Sequence, residues 1–218
     1  MTWELAGKYP RILTDEIVGT QASELFSDAQ KMLKKIVAEV DMQPKGRFGI
    51  FKANSTGDDI EIQGQSNCCC KSPVFPINFL RQQQKKPSGQ ANFCLADFVA
   101  PKATNLTDHV GAFVVTAGEE LDELSNYYEK NNDDYNSIMV KALADRFAEA
   151  FAEKLHQDVR RNYWGYAKNE ALSNEELIKE NYSGIRPAPG YPACPDHTHK
   201  AIIWELLDAE NMLNVRLT

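Results

Sequence analysis

Residues 46–63 read GRFGIFKANSTGDDIEIQ. Two β-like runs, 47–53 and 59–63, flank Asn54-Ser55-Thr56-Gly57-Asp58, a cluster of turn-forming residues that predicts a hairpin. Helical periodicity precedes this pair and a far longer helical stretch follows it. Strands gathered in the first half and helices in the second predict an α+β domain.

Upstream, residues 20–40 (TQASELFSDAQKMLKKIVAEV) place Ala22, Leu25, Phe26, Ala29, Leu33, Ile36 and Val37 at three-and-four spacing, an amphipathic helix. Downstream, residues 64–92 are polar, glutamine-rich and basic, and are expected to be mostly loop with a short helix near 77–84. NFCLADFVA (92–100) and HVGAFVVTA (109–117) read as two further strands joined by PKATNLTD. Asn132 or Asp133 is placed to cap a helix running to about Tyr163, in which Met139, Leu143, Phe147, Phe151, Leu155 and Val159 recur every four residues. Trp164-Gly165 reads as its stop. Ser173-Asn174-Glu175-Glu176 is a capping box opening a short helix that closes near Gly184. Pro195 suits the first turn of a last helix, with Asp196 at its positive end. With no internal repeat and no linker, the expectation is one domain over residues 1–218. MTWELAGKYP reads like the interior of a domain, and NMLNVRLT ends on a strand-like alternation, so the chain is expected to be incomplete at both ends.

The 218 residues are 43% hydrophobic with a formal charge of −7, enough apolar content for a core and too acidic for nucleic acid or an anionic membrane as the main partner. No apolar run approaches a membrane span, and no secretory signal is visible. Five cysteines, an odd number with Cys68, Cys69 and Cys70 adjacent, do not look like a disulfide framework, so a reducing, cytoplasmic setting is expected. The cysteine triplet is either an incidental loop cluster or a soft-metal chelate. Neither usual phosphate cradle is present, nor H-E-x-x-H, nor a paired C-x-x-C, nor a G-x-S-x-G elbow. No catalytic residue and no metal ligand is assigned.

The segment GIRPAPGYPACPDHTHKAIIWELL (184–207) has four prolines in its first twelve residues, which lock φ and remove backbone donors. Arg186 is either a surface charge or, so rigidly placed, a partner for a small-molecule carboxylate. Gly190 permits close approach of the backbone to a flat ligand. His197 is a cap neighbour or a partner contact, and Asp145 and Glu149 read by themselves as a solvated acidic edge. The residues alone describe a recognition loop for a small zwitterion or nucleoside.

RPAPGYPACPDHT closely resembles the signature loop of the activation (reactivation) domain of cobalamin-dependent methionine synthase. MTWELAGKYPRIL, ANSTGDDIEI, LRQQ, CLADFVAPK, GAFVVTAG, DDYNSIMVKALADRFAEAFAEKLH and YWGYA resemble that family in its order; the departure lies within 64–79. The resemblance implies a C-shaped α+β domain with a central twisted antiparallel sheet, binding S-adenosylmethionine. It implies Arg186 on the ligand carboxylate, the backbone of Ala188, Gly190 and Tyr191 around the adenosyl portion, and Glu149 lining the same site. Asp145, Tyr191 and His197 would face a cobalamin-bearing domain of the same polypeptide, and a flavodoxin-type donor would supply an electron during reductive methylation of oxidised cobalamin. The family also carries an acidic ligand contact before the MTW segment and a tyrosine pair beyond residue 218. No histidine here has aspartate two positions before it, so the lower-ligand motif D-x-H-x-x-G is absent and cobalamin is expected on another domain. The parent would be a methyltransferase, and this chain by itself is not expected to complete a cycle. The alternative is a non-catalytic ligand-binding or docking module that keeps the fold.

Overall fold

The structure, a computed structural model, describes residue 3 and residues 5–63 and 74–217. Among the described residues, six α-helices and a four-stranded sheet make it α+β: α1 (Gly19–Glu39), β1 (Lys45–Thr56), β2 (Asp59–Gln63), β3 (Val74–Asn78), β4 (Asp108–Thr116), α2 (Glu119–Lys130), α3 (Asp134–Asp158), α4 (Asn174–Ile178), α5 (His199–Leu207) and α6 (Ala209–Leu213). The chain divides into two compact units, Met1–Lys45 with Val115–Ala152, and Gly46–Val114 with Glu153–Thr218. The boundaries fall inside β1, β4 and α3.

The first unit is helical. Asp15 accepts from the backbone N–H of Ile17 and Val18 (2.9 and 3.1 Å), which satisfies donors at the approach to α1. Of the predicted stripe, Ala22 and Ile36 are buried while Phe26 and Val37 are exposed, and Met32, outside the predicted set, is buried with them. α2 has no counterpart in the sequence reading, although Glu119, Glu120 and Asp122 load its first turn with acid. Its Leu121 joins Met32, Ile36, Met139 and Val140 in the core. The buried hydroxyls of Ser125 and Ser137 lie 3.0 Å apart and tie α2 to α3. Asp133, rather than Asn132, caps α3 by accepting from Asn136 N–H (3.1 Å), while Asn132 takes a left-handed φ of 57° in the turn.

The second unit holds the sheet, in the order β3-β2-β1-β4, with β1–β2 and β2–β3 antiparallel. The hairpin is tighter than expected. β1 runs on to Thr56, which pairs with Asp59, so the turn is Gly57-Asp58 alone, with Gly57 at φ 65°. No helix forms near 77–84; residues 74–78 instead pair with β2 as an edge strand. There Pro76 sits opposite Glu61, where a missing N–H costs little.

Residues 92–100 are not a strand either. Leu95–Phe98 form a 3₁₀ turn closed by Asp97, whose carboxylate accepts from Cys94 N–H (2.9 Å). Arg81 grips Asp97 and Asp58 together (2.7 and 2.6 Å), which holds the Asp97 carboxyl below its usual range. Cys94, Ala96 and Val99 are nonetheless buried, so the apolar pattern read as a strand is satisfied by a capped turn. α5 and α6 cover the sheet, packing Leu207, Ala209 and Leu213 with Phe51, Ile60, Ile62 and Val114. The strand expected in the closing residues is instead α6 through Leu213, after which Asn214 turns left-handed at φ 56°.

Candidate functional site

α3 ends in a wider, π-helical turn over Val159–Tyr163, where Trp164 and Gly165 both donate to the Val159 carbonyl (2.8 and 3.3 Å). Gly165, at φ 75°, ends the helix at the predicted place. That turn carries Arg160 into full burial. Its Nε and Nη2 donate to Glu170 Oε2 and Oε1 (2.8 and 2.7 Å), a two-pronged fork. Nη1 donates to His156 Nδ1 (2.7 Å), and the guanidinium carbon lies 4.1 Å from the centre of the Tyr182 ring. Burial first, then the charges of Arg160 and Arg186, push the His156 pKa down to about 3, so the ring is neutral and accepts from Arg160. Arg160 hydrogen bonds hold the Glu170 carboxyl below its usual range.

The chain then turns through α4. Ser173 and Glu176 form the expected reciprocal capping box, but the helix closes at Ile178, and Glu180 at φ 56° turns the backbone well before Gly184. A concavity of about 330 Å³ opens between residues 166–172 and 181–183, away from the proline loop.

Arg186 follows. Its Nη2 donates to Glu153 Oε2 at 2.8 Å, each side chain about one-quarter exposed. Arg186 Nε and Glu153 Oε1 are buried with no hydrogen-bond partner among the described residues. The proline loop is tied to itself. Tyr191 N–H donates to Ala188 O (3.0 Å), Gly190 N–H to Cys194 O and Cys194 N–H to Tyr191 O (both 2.8 Å). The amides of Gly190 and Tyr191 are therefore committed, while Ala188 N–H and the Gly190 carbonyl take no part in these bonds.

Gly190 stands at φ 106°, and a Cβ there would meet the His197 ring, with Nε2 only 2.7 Å away. The close approach that requires glycine in this structure is to His197. Burial raises the Cys194 thiol to about 11, so the protonated sulfur donates toward His199 Nδ1 (3.4 Å). His199 Nε2–H then donates to the Asn78 carbonyl (2.7 Å), which fastens the loop to the end of β3. Pro195 lies outside the helix it was expected to open. Asp196 accepts from Thr198 N–H (2.8 Å) and α5 begins at His199, because three turn residues intervene.

The structure thus gathers Arg186, Ala188, Gly190, Tyr191 and His197 in one unit, with Tyr191 and His197 exposed. Glu149 and Asp145 belong to the other unit; both are exposed, and Glu149 pairs with Arg146 (3.0 Å). The sequence reading missed Glu153, one helical turn beyond Glu149 on α3, and the buried group of His156, Arg160, Glu170 and Tyr182. The available signal was spacing: Glu153, His156 and Arg160 fall at i, i+3 and i+7, one face of a helix. Among the described residues no group of three or more metal-ligating side chains is gathered, and Cys68, Cys69 and Cys70 lie outside them. Among the described residues, no helix is long and apolar enough to cross a membrane.

Over residues 1–218 the chain matches the family described as "Vitamin B12 dependent methionine synthase, activation domain". It is also similar to a solved crystal structure of the MetH reactivation domain bound to AdoHcy, at 60% sequence identity and a TM-score of 0.84. That match covers 100% of this chain and 66% of the solved one, so the chain spans just under two thirds of that neighbour's length. With a full-length family match and a fold shared at that identity, this chain belongs to the vitamin B12 dependent methionine synthase activation-domain family.

Proposed function

We propose that this chain binds S-adenosylmethionine and, as the reactivation domain of cobalamin-dependent methionine synthase, presents it to cobalamin held by a separate domain of the same polypeptide. Arg186 takes the ligand carboxylate. Ala188, Gly190 and Tyr191 line the adenosyl portion with their backbone, and Glu149 is, by the family resemblance, a further ligand residue. The observation that carries this reading is Arg186 Nε, a buried guanidinium donor with no hydrogen-bond partner among the described residues, on a loop braced by three backbone hydrogen bonds of its own. A carboxylate is the group that best satisfies such a donor. Ala188 N–H and the Gly190 carbonyl, which take no part in those loop bonds, would supply one donor and one acceptor of the kind an adenine edge uses.

The AdoHcy held by the solved neighbour is what remains of S-adenosylmethionine once its sulfonium methyl has left, which supports a reading in which one site would serve before and after transfer. Cobalamin, held by the other domain, would supply a methyl-accepting metal centre, and a flavodoxin-type donor would supply the electron that reductive methylation needs. Asp145, Tyr191 and His197, all exposed, are assigned to the surface facing the cobalamin domain. The enzyme is thus a methyltransferase to which this chain contributes ligand binding, with no catalytic side chain of its own.

Titration of AdoHcy into the full-length gene product tests this. The parent protein is expected to bind, and Arg186→Ala to lose on the order of 2–3 kcal/mol of binding through loss of a charge-assisted contact. Equal affinity in the two proteins overturns the assignment. One observation favours the docking-only reading: Arg186 already has a protein counter-ion in Glu153. That reading predicts no AdoHcy binding by the parent.

A further inference from the structure

α3 and its π-helical extension carry one member of each of two arginine–glutamate pairs, Glu153 and Arg160, seven residues apart. The Arg160 pair is saturated, with both carboxylate oxygens of Glu170 taken by two nitrogens. The Glu153 pair is single-pronged, and one polar atom on each side is buried with no hydrogen-bond partner among the described residues. Leaving such atoms unpaired is costly, so a pair built this way is incomplete in the state described. Pro187 and Pro189 stiffen the backbone beside Arg186 but do nothing to direct its long, rotamer-rich side chain. Glu153, on a regular helix, does. Neutral His156 lies between the pairs and adds no competing positive charge to the Arg186 surroundings.

We propose that Glu153 is a positioning residue. It holds the Arg186 guanidinium from one side so that the remaining donors meet a ligand carboxylate, and it thereby makes the loop select adenosyl ligands that keep their amino-acid end. This rests on the ligand reading above, and it assigns to Glu153 a selectivity that Arg186 alone, free to swing, does not provide.

The test compares AdoHcy with 5′-methylthioadenosine, which keeps the adenosyl portion and lacks the amino-acid end, on the full-length gene product. Glu153→Gln is expected to weaken AdoHcy about tenfold, the low end of what a charge-assisted contact is worth, and to leave methylthioadenosine unchanged. In an Arg186→Ala background the same substitution is expected to change neither ligand, since nothing is left to position. Glu153→Asp keeps the charge, draws it back by one methylene and is expected to fall between; it also serves if the Gln variant loses its cooperative thermal transition. Equal weakening of both ligands marks a general structural role and overturns the proposal. So does a gain in AdoHcy affinity, which would make Glu153 a competitor for Arg186. No AdoHcy binding by the unaltered gene product overturns the function reading itself, and this inference with it.

Discussion

Two of the arginine–glutamate pairs in the second unit are put to different uses. Arg160 and Glu170 are buried and share a two-pronged fork, with a neutral imidazole and an aromatic face completing the arginine's surroundings. Arg186 and Glu153 are about one-quarter exposed, share one hydrogen bond and leave Nε and Oε1 without a partner among the described residues. A saturated pair has nothing left to offer a ligand, and removing either partner strands a buried charge. An unsaturated pair at the surface contributes little to stability and has donors to spare. Satisfaction and burial, rather than residue identity, separate the two pairs.

The largest test of that contrast is Glu170→Ala. It leaves the Arg160 guanidinium buried without its carboxylate and is expected to cost about 3–5 kcal/mol of folding stability, read by urea unfolding. A cost below about 1 kcal/mol, the range of exposed pairs, would erase the distinction drawn here. Arg186→Ala should behave in the opposite sense, losing ligand affinity while moving stability by no more than about 1 kcal/mol, since its pair is partly solvent-screened.

A pH series sharpens the comparison further. The His156 pKa is lowered on folding, so below its unfolded value the unfolded chain takes up a proton that the folded protein refuses. Stability is then expected to fall by up to about 1.4 kcal/mol per pH unit as pH drops below about 6.5, on top of acid loss from Glu170 at lower pH. His156→Gln keeps an acceptor for Arg160 without a titrating ring, so its unfolding midpoint should vary less with pH between 6.5 and 4.5. An unchanged slope would remove His156 from the account.

The smallest expected effect is at Gly190. A side chain at φ 106° is strained and meets His197, so Gly190→Ala should cost about 1–2 kcal/mol. Pairing it with His197→Ala separates the two causes, because only the ring contact can be relieved that way.

Local signals were legible where a local interaction decides the outcome. The α1 and α3 stripes, the Ser173–Glu176 capping box, the Gly165 stop and the β1–β2 hairpin all rest on contacts within a few residues of one another. The proline loop stood out because four prolines restrict the backbone whatever surrounds it. Tertiary structure overrode the rest. Residues 92–100 carry a strand's apolar alternation, yet Arg81 and the Asp97 cap close them into a turn; VFPIN became an edge strand because β2 offered it a partner. The partner of Arg186 was not legible either. Glu149 and Glu153 are both glutamates on one helix, one turn apart, and only the path of the chain from Glu170 back to Arg186 brings the second within 2.8 Å. Sequence by itself determined α1, α3, the capped start of α4, the hairpin and the stiffness of the loop, because those are short-range. Which charges are buried, paired or left waiting was decided by the tertiary structure, because burial and hydrogen-bond satisfaction depend on residues far apart along the chain.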